Sequence, residues 1–126
     1  MNNDKIFRKI EQLSKSKFRG SFHLNKKMRE YVQEKNYGVI EKHAYEIISK
    51  RLKPKNIIND GKQTPYRQVH PVFIAQHACG CCCRGCLERI HNIPKNKELT
   101  DEELQYIVKI IMTWIKKEME NGVENG

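Results

Sequence analysis

A chain of 126 residues fits one domain with a single core. Only 38% of the residues are hydrophobic, and no apolar run approaches the roughly 18 residues that span a bilayer, so the composition excludes a membrane-spanning protein. We recognise no secretory segment and therefore expect a cytoplasmic protein, in which reducing conditions keep the five cysteines out of disulfides.

The net charge of +9 belongs entirely to the first half of the sequence. Residues 1–62 carry 16 Lys and Arg against 7 Asp and Glu, whereas residues 63–126 carry 8 of each. Such an excess attracts phosphate backbones and acidic proteins, and it is also typical of a solvated surface. We expect residues 1–62 to contact nucleic acid or an acidic protein, although no named nucleic-acid-binding motif accompanies the charge.

The sequence predicts a mainly α, small single-domain fold over residues 18–120. Residues 1–17 are predicted to form a basic, mobile or loosely docked arm with one short amphipathic turn, and residues 121–126 a disordered tail. Asn25 is a suitable N-cap for a helix over about residues 26–36.

A second helix is predicted over about residues 39–52, where Pro54 ends it. The long connector over residues 53–69 follows, and connectors of this length are often functional. The second helix is predicted from apolar residues at helical spacing: Ile40, Ala44, Ile47 and Ile48.

The middle of the chain predicts two short helices joined by a turn. Pro71 suits the first position of a helix over residues 71–79, and Gly80 then breaks or bends the chain before a second helix over about 82–92. A strand over residues 72–74 is the alternative, because a short apolar run does not distinguish a strand from a helix.

The C-terminal segment begins with a capping box. Thr100 and Glu103 have the spacing in which a hydroxyl and a carboxylate satisfy the free backbone donors at a helix start. The following residues predict a long helix with one wide apolar face: Leu104, Ile107, Val108, Ile111, Ile115 and Met119.

Eight of the ten cysteine and histidine residues lie between His70 and His91. Thiolates and imidazoles are the ligands that soft and borderline metal ions prefer, so this tract predicts a metal site between the long connector and the C-terminal helix. The interleaved histidines favour zinc, and an iron–sulfur cluster is the alternative cofactor. A cluster of buried thiols and a reactive thiol without metal are further interpretations.

The spacing within the tract suggests the ligands. Cys83, Cys86 and His91 follow one another at distances typical of zinc ligands, and His77 or His70 can supply a fourth. If the segment is helical, Cys82 and Cys86 lie on one face, because residues four apart are neighbours on a helix.

Four further residues are predicted as accessory groups. His43 on the second helix either turns towards the site or lies at the core boundary. Lys62 and Arg84 are candidates for binding an anion, although single basic residues are usually just solvated. Asp60, together with Glu88, is a nearby carboxylate for acid or base chemistry.

Longer stretches of the chain resemble a family of small bacterial and phage-borne proteins that is classified only as a domain of unknown function. The resemblance runs from about residue 18 to residue 117. It is carried by Phe18-Arg19, Asn59-Asp-Gly-Lys-Gln-Thr-Pro65, His70-Pro-Val-Phe-Ile-Ala-Gln-His77, Cys82-Cys-Arg-Gly-Cys-Leu87 and Ile107 to Ile115.

The resemblance implies a ligand set but no reaction. The family has Ala-Thr-Ala-Thr directly after the position of His77, whereas Cys79 and Cys81 stand at two of those positions here. These two cysteines are therefore expected to be bystanders. The positions that match the family, and thus the predicted metal ligands, are His70, His77, Cys82, Cys83, Cys86 and His91; His43, Asp60 and Lys62 match as well.

The sequence leaves open whether the protein is an enzyme. The first hypothesis is a metal-binding protein with a closed, structural zinc site and a basic half that contacts nucleic acid. The second is a metal-dependent hydrolase-like enzyme that acts on a phosphate or amide bond through a metal-bound water. The third is a thiol-based redox sensor in which Cys82 or Cys83 is exposed and has a low pKa.

Overall fold

The computed structural model describes residues 3–55, 62 and 64–124 of the chain. Within that part the protein consists of five α-helices and one 3₁₀ turn, with no strand, so the predicted mainly α single-domain fold is confirmed. The elements are α1 (Asn3–Ser14), the 3₁₀ turn (Arg19–Ser21), α2 (Lys26–Arg51), α3 (Pro71–Ala78), α4 (Arg84–His91) and α5 (Asp101–Glu124).

Helix α5 is the centre of the fold and contacts α1, α2 and α3. The predicted capping box is present: Glu103 N–H donates to Thr100 Oγ1 over 3.1 Å, and Thr100 N–H donates to Glu103 Oε1 over 2.9 Å. Buried side chains occupy several sides of α5, which is why three helices pack around it; the fully buried ones are Ile107, Ile110, Ile111 and Ile115.

Helix α2 is bent at Asn36, whose φ of 71° and ψ of 164° are not helical. Asn36 Oδ1 accepts a hydrogen bond of 3.1 Å from Val39 N–H, so the side chain caps a new helical segment. Asn25 caps the start of α2 in the same way, through Met28 N–H at 2.9 Å. The two predicted helices therefore form one element with a kink between them.

Helix α1 differs from the loosely docked arm that the sequence predicted. Ile6 and Ile10 are buried in the common core, and Lys9 Nζ donates to Ile90 O over 3.1 Å. The isolated segment has too few apolar residues to be stable as a helix, but packing against α5 supplies the missing stabilisation.

Helices α3 and α4 are joined by a tight turn at Gly80. The segment over residues 72–74 is helical rather than a strand, because Pro71 is the first helical residue and His70 Nδ1 accepts from Val72 N–H at 3.0 Å. Gly80 has a φ of 68°, and an added Cβ would lie 2.5 Å from Ile90 Cδ1. This close approach sets the cysteine-rich turn against α4.

None of the helices in the described ranges is both long enough and apolar enough to cross a bilayer.

Candidate metal centre

The thiols of Cys82, Cys83 and Cys86 form one buried group at the start of α4. The Sγ atoms of Cys83 and Cys86 are 3.0 Å apart, those of Cys82 and Cys86 are 3.6 Å apart, and all three lie within 4.8 Å of one another. In the part of the chain that the structure describes, this is the one group of three or more metal-ligating side chains that meets that distance. The three cysteines therefore form a group that could hold a metal ion.

The local sequence explains why the three thiols converge. Cys83 is the N-cap of α4, and its Sγ accepts from the backbone N–H of Cys86 at 3.3 Å, as a cap side chain does. The Thr64 hydroxyl donates to Cys82 O over 2.8 Å and ties the end of the long connector to the turn. A Cys-x-x-Cys spacing at a helix start thus places one thiol before the helix and the other in its first turn.

Two arginines lie against the thiols. Arg19 Nη1 is 3.5 Å from Cys82 Sγ, Arg19 Nη2 is 3.4 Å from Cys86 Sγ, and Arg89 Nη2 is 3.5 Å from Cys86 Sγ. Arg19 also donates to His77 O over 2.7 Å, which fixes the guanidinium between α3 and the thiol group. The positive charges favour the thiolate form of the sulfur atoms they contact.

The thiols do not titrate alike. Hydrogen bonds from Cys82 and Cys83, followed by the contact with Arg19, hold the pKa of Cys86 well below its usual range. Hydrogen bonds with Cys82 and Cys86 raise the pKa of Cys83 far above it. The first negative charge on the group therefore resides on Cys86, with Cys83 as a donor to it.

The His77 ring is held in a fixed orientation and interacts electrostatically with Cys86, but it lies outside the 4.8 Å group. Its Nε2 is 3.1 Å from Thr64 O and 3.0 Å from Pro65 O, and because carbonyls only accept, Nε2 carries the proton. Nδ1 is buried and has no hydrogen-bond partner among the described residues. Burial lowers the pKa of His77, so the ring is neutral and Nδ1 keeps a free lone pair.

His70 lies away from the thiol group, paired with His43. His70 Nε2 is 3.1 Å from His43 Nδ1, while His70 Nδ1 accepts from Val72 as the N-cap of α3. Burial and the neighbouring His43 lower the pKa of His70 to about 4. Both ring nitrogens of His70 are thus occupied within the fold, and His43 contacts His70 rather than the cysteines.

His91 also uses both nitrogens in local contacts. Nε2 donates to Cys79 O over 2.7 Å, and Nδ1 accepts from the Tyr106 hydroxyl at 2.8 Å. Burial raises the pKa of Tyr106 to about 12 and lowers that of His91. Its sulfur neighbour is Cys81, at 3.6 Å from Nε2, rather than the thiol group.

Cys79 and Cys81 are buried outside the thiol group. Cys79 Sγ donates to Ile110 O over 3.7 Å, and Cys81 Sγ donates to Cys79 O over 3.6 Å. Burial raises the pKa of both thiols, so they are small, neutral core side chains.

None of the predicted accessory residues that the structure describes belongs to the thiol group. Arg84 is buried and its guanidinium donates to backbone carbonyls at the end of α2 and in the loop after α4, while Lys62 is exposed. Asp60 lies outside the described residues. Glu88 accepts from Lys95 N–H at 3.2 Å, and no carboxylate of the described residues belongs to the thiol group.

Comparison with known protein families gives one result. A family catalogued as a domain of unknown function (DUF4186) matches residues 4–116, from the start of α1 into α5. The chain belongs to the DUF4186 family. The expected membership in a family of unknown function is therefore confirmed, and no solved structure matches the chain.

Sequence reasoning missed two residues that contact the thiol group or the His77 ring. Arg19 contacts Cys82 and Cys86, and Tyr66 stacks on the His77 ring with centroids 4.0 Å apart. Arg19 is 63 residues from Cys82 in the chain, so no local spacing points to the contact. The available signal was the Phe18-Arg19 pair, which belongs to the stretches that carry the family resemblance.

Proposed function

We propose that the protein is a cytoplasmic zinc-binding protein with a structural site formed by Cys82, Cys83, Cys86 and His77. The observation that carries the proposal is the convergence of three buried thiols. His77, which interacts electrostatically with Cys86, has a buried ring nitrogen without a partner among the described residues. The site connects the turn after α3, the start of α4 and the end of the long connector. Zinc therefore stabilises the fold rather than activating a substrate.

The sulfur spacing favours a single metal ion. A tetrahedral zinc ion with Zn–S distances of about 2.3 Å separates its sulfur ligands by about 3.8 Å. The Cys82–Cys86 separation of 3.6 Å is close to that value, and the Cys83–Cys86 separation of 3.0 Å requires only a small opening. In a [4Fe–4S] cluster each thiolate binds its own iron atom, so the cysteine sulfur atoms lie further apart than in a zinc site.

His77 is the best-prepared fourth ligand. Zinc-bound histidines donate their second ring N–H to a carbonyl or carboxylate, which fixes the tautomer and the ring orientation. The Nε2 contacts with Thr64 and Pro65 provide this arrangement and leave Nδ1 as the ligand atom. His70 and His91 lack a free nitrogen of this kind, because both of their nitrogens already have partners.

Arg19 completes the charge balance of the site. Three thiolates and one zinc dication leave one net negative charge, which is costly to bury unless a cation lies nearby. Arg19 supplies that cation through contacts with two of the sulfur atoms, and hydrogen bonds from N–H groups to ligand sulfur are the usual support around a metal.

The second part of the proposed function is contact with nucleic acid through the basic half of the chain. Residues 1–62 hold all of the excess positive charge, and phosphate backbones bind such surfaces in a salt-dependent manner. We expect the affinity for nucleic acid to fall steeply as the salt concentration rises.

Elemental analysis of the purified, reduced protein tests the zinc site. We expect about one zinc per chain and no visible colour. Cys86→Ser should lose the metal and melt at a lower temperature, whereas the matched control Cys79→Ser, a buried thiol outside the group, should retain it. If the analysis found iron and sulfide, the site would hold an iron–sulfur cluster instead of zinc. A folded protein without metal would contradict the proposal of a metal-binding protein.

A dithiol switch is the second candidate function, favoured by the 3.0 Å separation of the Cys83 and Cys86 sulfurs. Oxidation by hydrogen peroxide would join the two sulfurs, and the two thiol hydrogens would leave in two molecules of water. Loss of two hydrogen masses in the metal-free protein after peroxide treatment, restored by a dithiol reductant, would support this function. Protection of both thiols by bound zinc would favour the structural site.

The hydrolase hypothesis receives no comparable support. Metal-dependent hydrolysis needs an acid or base group near the metal-bound water. No carboxylate of the described residues joins the thiol group, and Glu88 contacts Lys95 instead.

A further inference from the structure

Four rings form an aromatic patch near the thiol group, in which two rings are exposed, one is half-buried and one is buried: Phe18 and Tyr66, Phe22, and His77, respectively. Tyr66 stacks on His77 with centroids 4.0 Å apart and an interplanar angle of 15°, and Phe22 stacks on His77 at 5.3 Å. Phe18 packs edge-on against Phe22 at 5.2 Å. One face of the Tyr66 ring is covered by His77, yet the residue remains 60% exposed, and Phe18 is 49% exposed. The part of Tyr66 that His77 does not cover is therefore accessible to a ligand.

The two segments that carry the patch are basic and contain no acidic residue. Residues 15–23 and 62–70 include five cations and neither Asp nor Glu. Gln68 holds the segments together, since its Nε2 donates to His23 O over 3.0 Å and its Oε1 accepts from Asn25 N–H at 3.3 Å. The cations of the two segments are Lys15, Lys17, Arg19, Lys62 and Arg67.

We infer that the aromatic patch binds single-stranded nucleic acid, with one base stacked on the outer face of Tyr66 and the phosphates held by Lys15, Lys17, Lys62 and Arg67. This inference rests on the proposed nucleic-acid contact and names its site and its substrate class. Exposed aromatic rings on basic chain segments are the combination that single strands require, because an unpaired base offers a flat face and the backbone offers charge. The one carboxylate recorded against these segments, Glu118, is paired with His23.

The chemistry of the patch separates this ligand from its competitors. A duplex hides the faces of its bases, so the Tyr66 ring would contribute nothing to its binding. An acidic protein would match the cations but would leave the flat ring faces without a specific partner. A base stacked on Tyr66 uses both features at once.

The stacked His77 ring holds the Tyr66 ring in place. His77 lies beneath Tyr66, and its Nε2 is fixed by two carbonyl oxygens. A ring that is already held in place loses little conformational entropy when a base stacks on it. Because His77 is also the proposed fourth zinc ligand, a bound metal would help to hold the His77 and Tyr66 rings in position.

Fluorescence anisotropy with labelled oligonucleotides tests the inference. The probes are a single-stranded oligo-dT, an oligo-U of equal length and a DNA duplex of that length, with the zinc content of every variant measured in parallel. Wild type should bind the single strands more tightly than the duplex. Tyr66→Leu should weaken single-strand binding by about 5- to 100-fold, as expected for the loss of one stacked base.

Two variants make the result specific. Tyr66→Phe keeps the ring and should retain binding, and Tyr37→Leu removes a tyrosine that is 39% exposed outside the patch and should change nothing. Phe18→Leu, at the edge of the patch, should weaken binding in the same direction as Tyr66→Leu and serves if the latter fails to fold.

Each alternative result has a distinct meaning. Equal binding of single strand and duplex, unaffected by Tyr66→Leu, would overturn the inference and leave the proposed nucleic-acid contact standing. Binding of polyglutamate without binding of any oligonucleotide would overturn both in favour of an acidic protein. The zinc content is measured independently, so it tests the proposed metal site whichever binding result is obtained.

Discussion

Arg19 Nη2 lies 3.4 Å from Cys86 Sγ, although 67 residues separate the two in the chain. The contact joins the 3₁₀ turn to the first turn of α4 and places a permanent positive charge beside the most acidic thiol of the group. Removing this charge should indirectly weaken the binding of a metal cation, because the thiolates lose the group that stabilises their negative charge.

Arg19→Ala should therefore lower zinc affinity by about 10- to 100-fold, the effect typical of residues that support metal ligands. Competition with a chromogenic chelator measures the affinity. Arg8→Ala, which removes an exposed arginine of α1, is the matched control and should leave the affinity unchanged. An Arg19→Ala protein that binds zinc as tightly as wild type would show that the arginine is not part of the site.

Arg84 should be essential for stability rather than for chemistry. Its guanidinium donates to Leu52 O and Pro94 O over 2.8 and 2.7 Å, so removing it leaves the buried Leu52 carbonyl without this donor and breaks the link to the loop after α4. Arg84→Met should cost about 3–5 kcal/mol in the free energy of unfolding. Urea denaturation measures this cost, with Arg67→Ala as an exposed control. A cost below about 1 kcal/mol would mean that the loops are held by other contacts.

Gly80→Ala should destabilise the turn between α3 and α4. Its φ of 68° disfavours any side chain, and the new Cβ would meet Ile90 Cδ1 at 2.5 Å. We expect a loss of about 2 kcal/mol, measured by thermal or urea unfolding. Gly38→Ala within α2, where no positive φ is involved, should stay within about 1 kcal/mol of wild type. Equal behaviour of the two variants would contradict this account of the turn.

Stability should fall as the pH drops from about 6.5 towards 4. Burial and His43 lower the pKa of His70 to about 4 in the folded protein, so in this window the unfolded chain binds more protons than the folded one. Above the unfolded pKa the neutral histidine favours the folded state fully, and this contribution is lost on acidification.

His70→Asn isolates the contribution of His70, because asparagine can still cap α3 but does not titrate. The difference in urea midpoint between pH 7.5 and pH 5 should be smaller in the variant than in wild type. His77 and His91, whose pKa values are also lowered by burial, should leave part of the acid sensitivity in place. An identical pH dependence in both proteins would contradict the prediction.

Features that depend on neighbouring residues could be predicted from the sequence. The capping box of Thr100 and Glu103 and the wide apolar face of α5 are local patterns, and both are present in the structure. The predicted break between the two halves of α2 coincides with Asn36, a residue type that tolerates positive φ.

Features that depend on distant contacts could not be predicted. The short amphipathic pattern around Ile6 and Ile10 does not reveal that α5 covers it, and the position of Arg19 depends on the whole fold. Spacing also does not show where a ring points. His70 has a plausible ligand position in the sequence, but its nitrogens bind Val72 and His43 in the structure.

X-ray absorption spectroscopy at the zinc edge of the purified, reduced protein tests the central claim most directly. The account predicts one zinc with three sulfur ligands at about 2.3 Å and one nitrogen ligand at about 2.0 Å, with the nitrogen replaced by oxygen in His77→Ala. A spectrum dominated by nitrogen and oxygen, one with four sulfur ligands, or the absence of zinc from folded protein would contradict it.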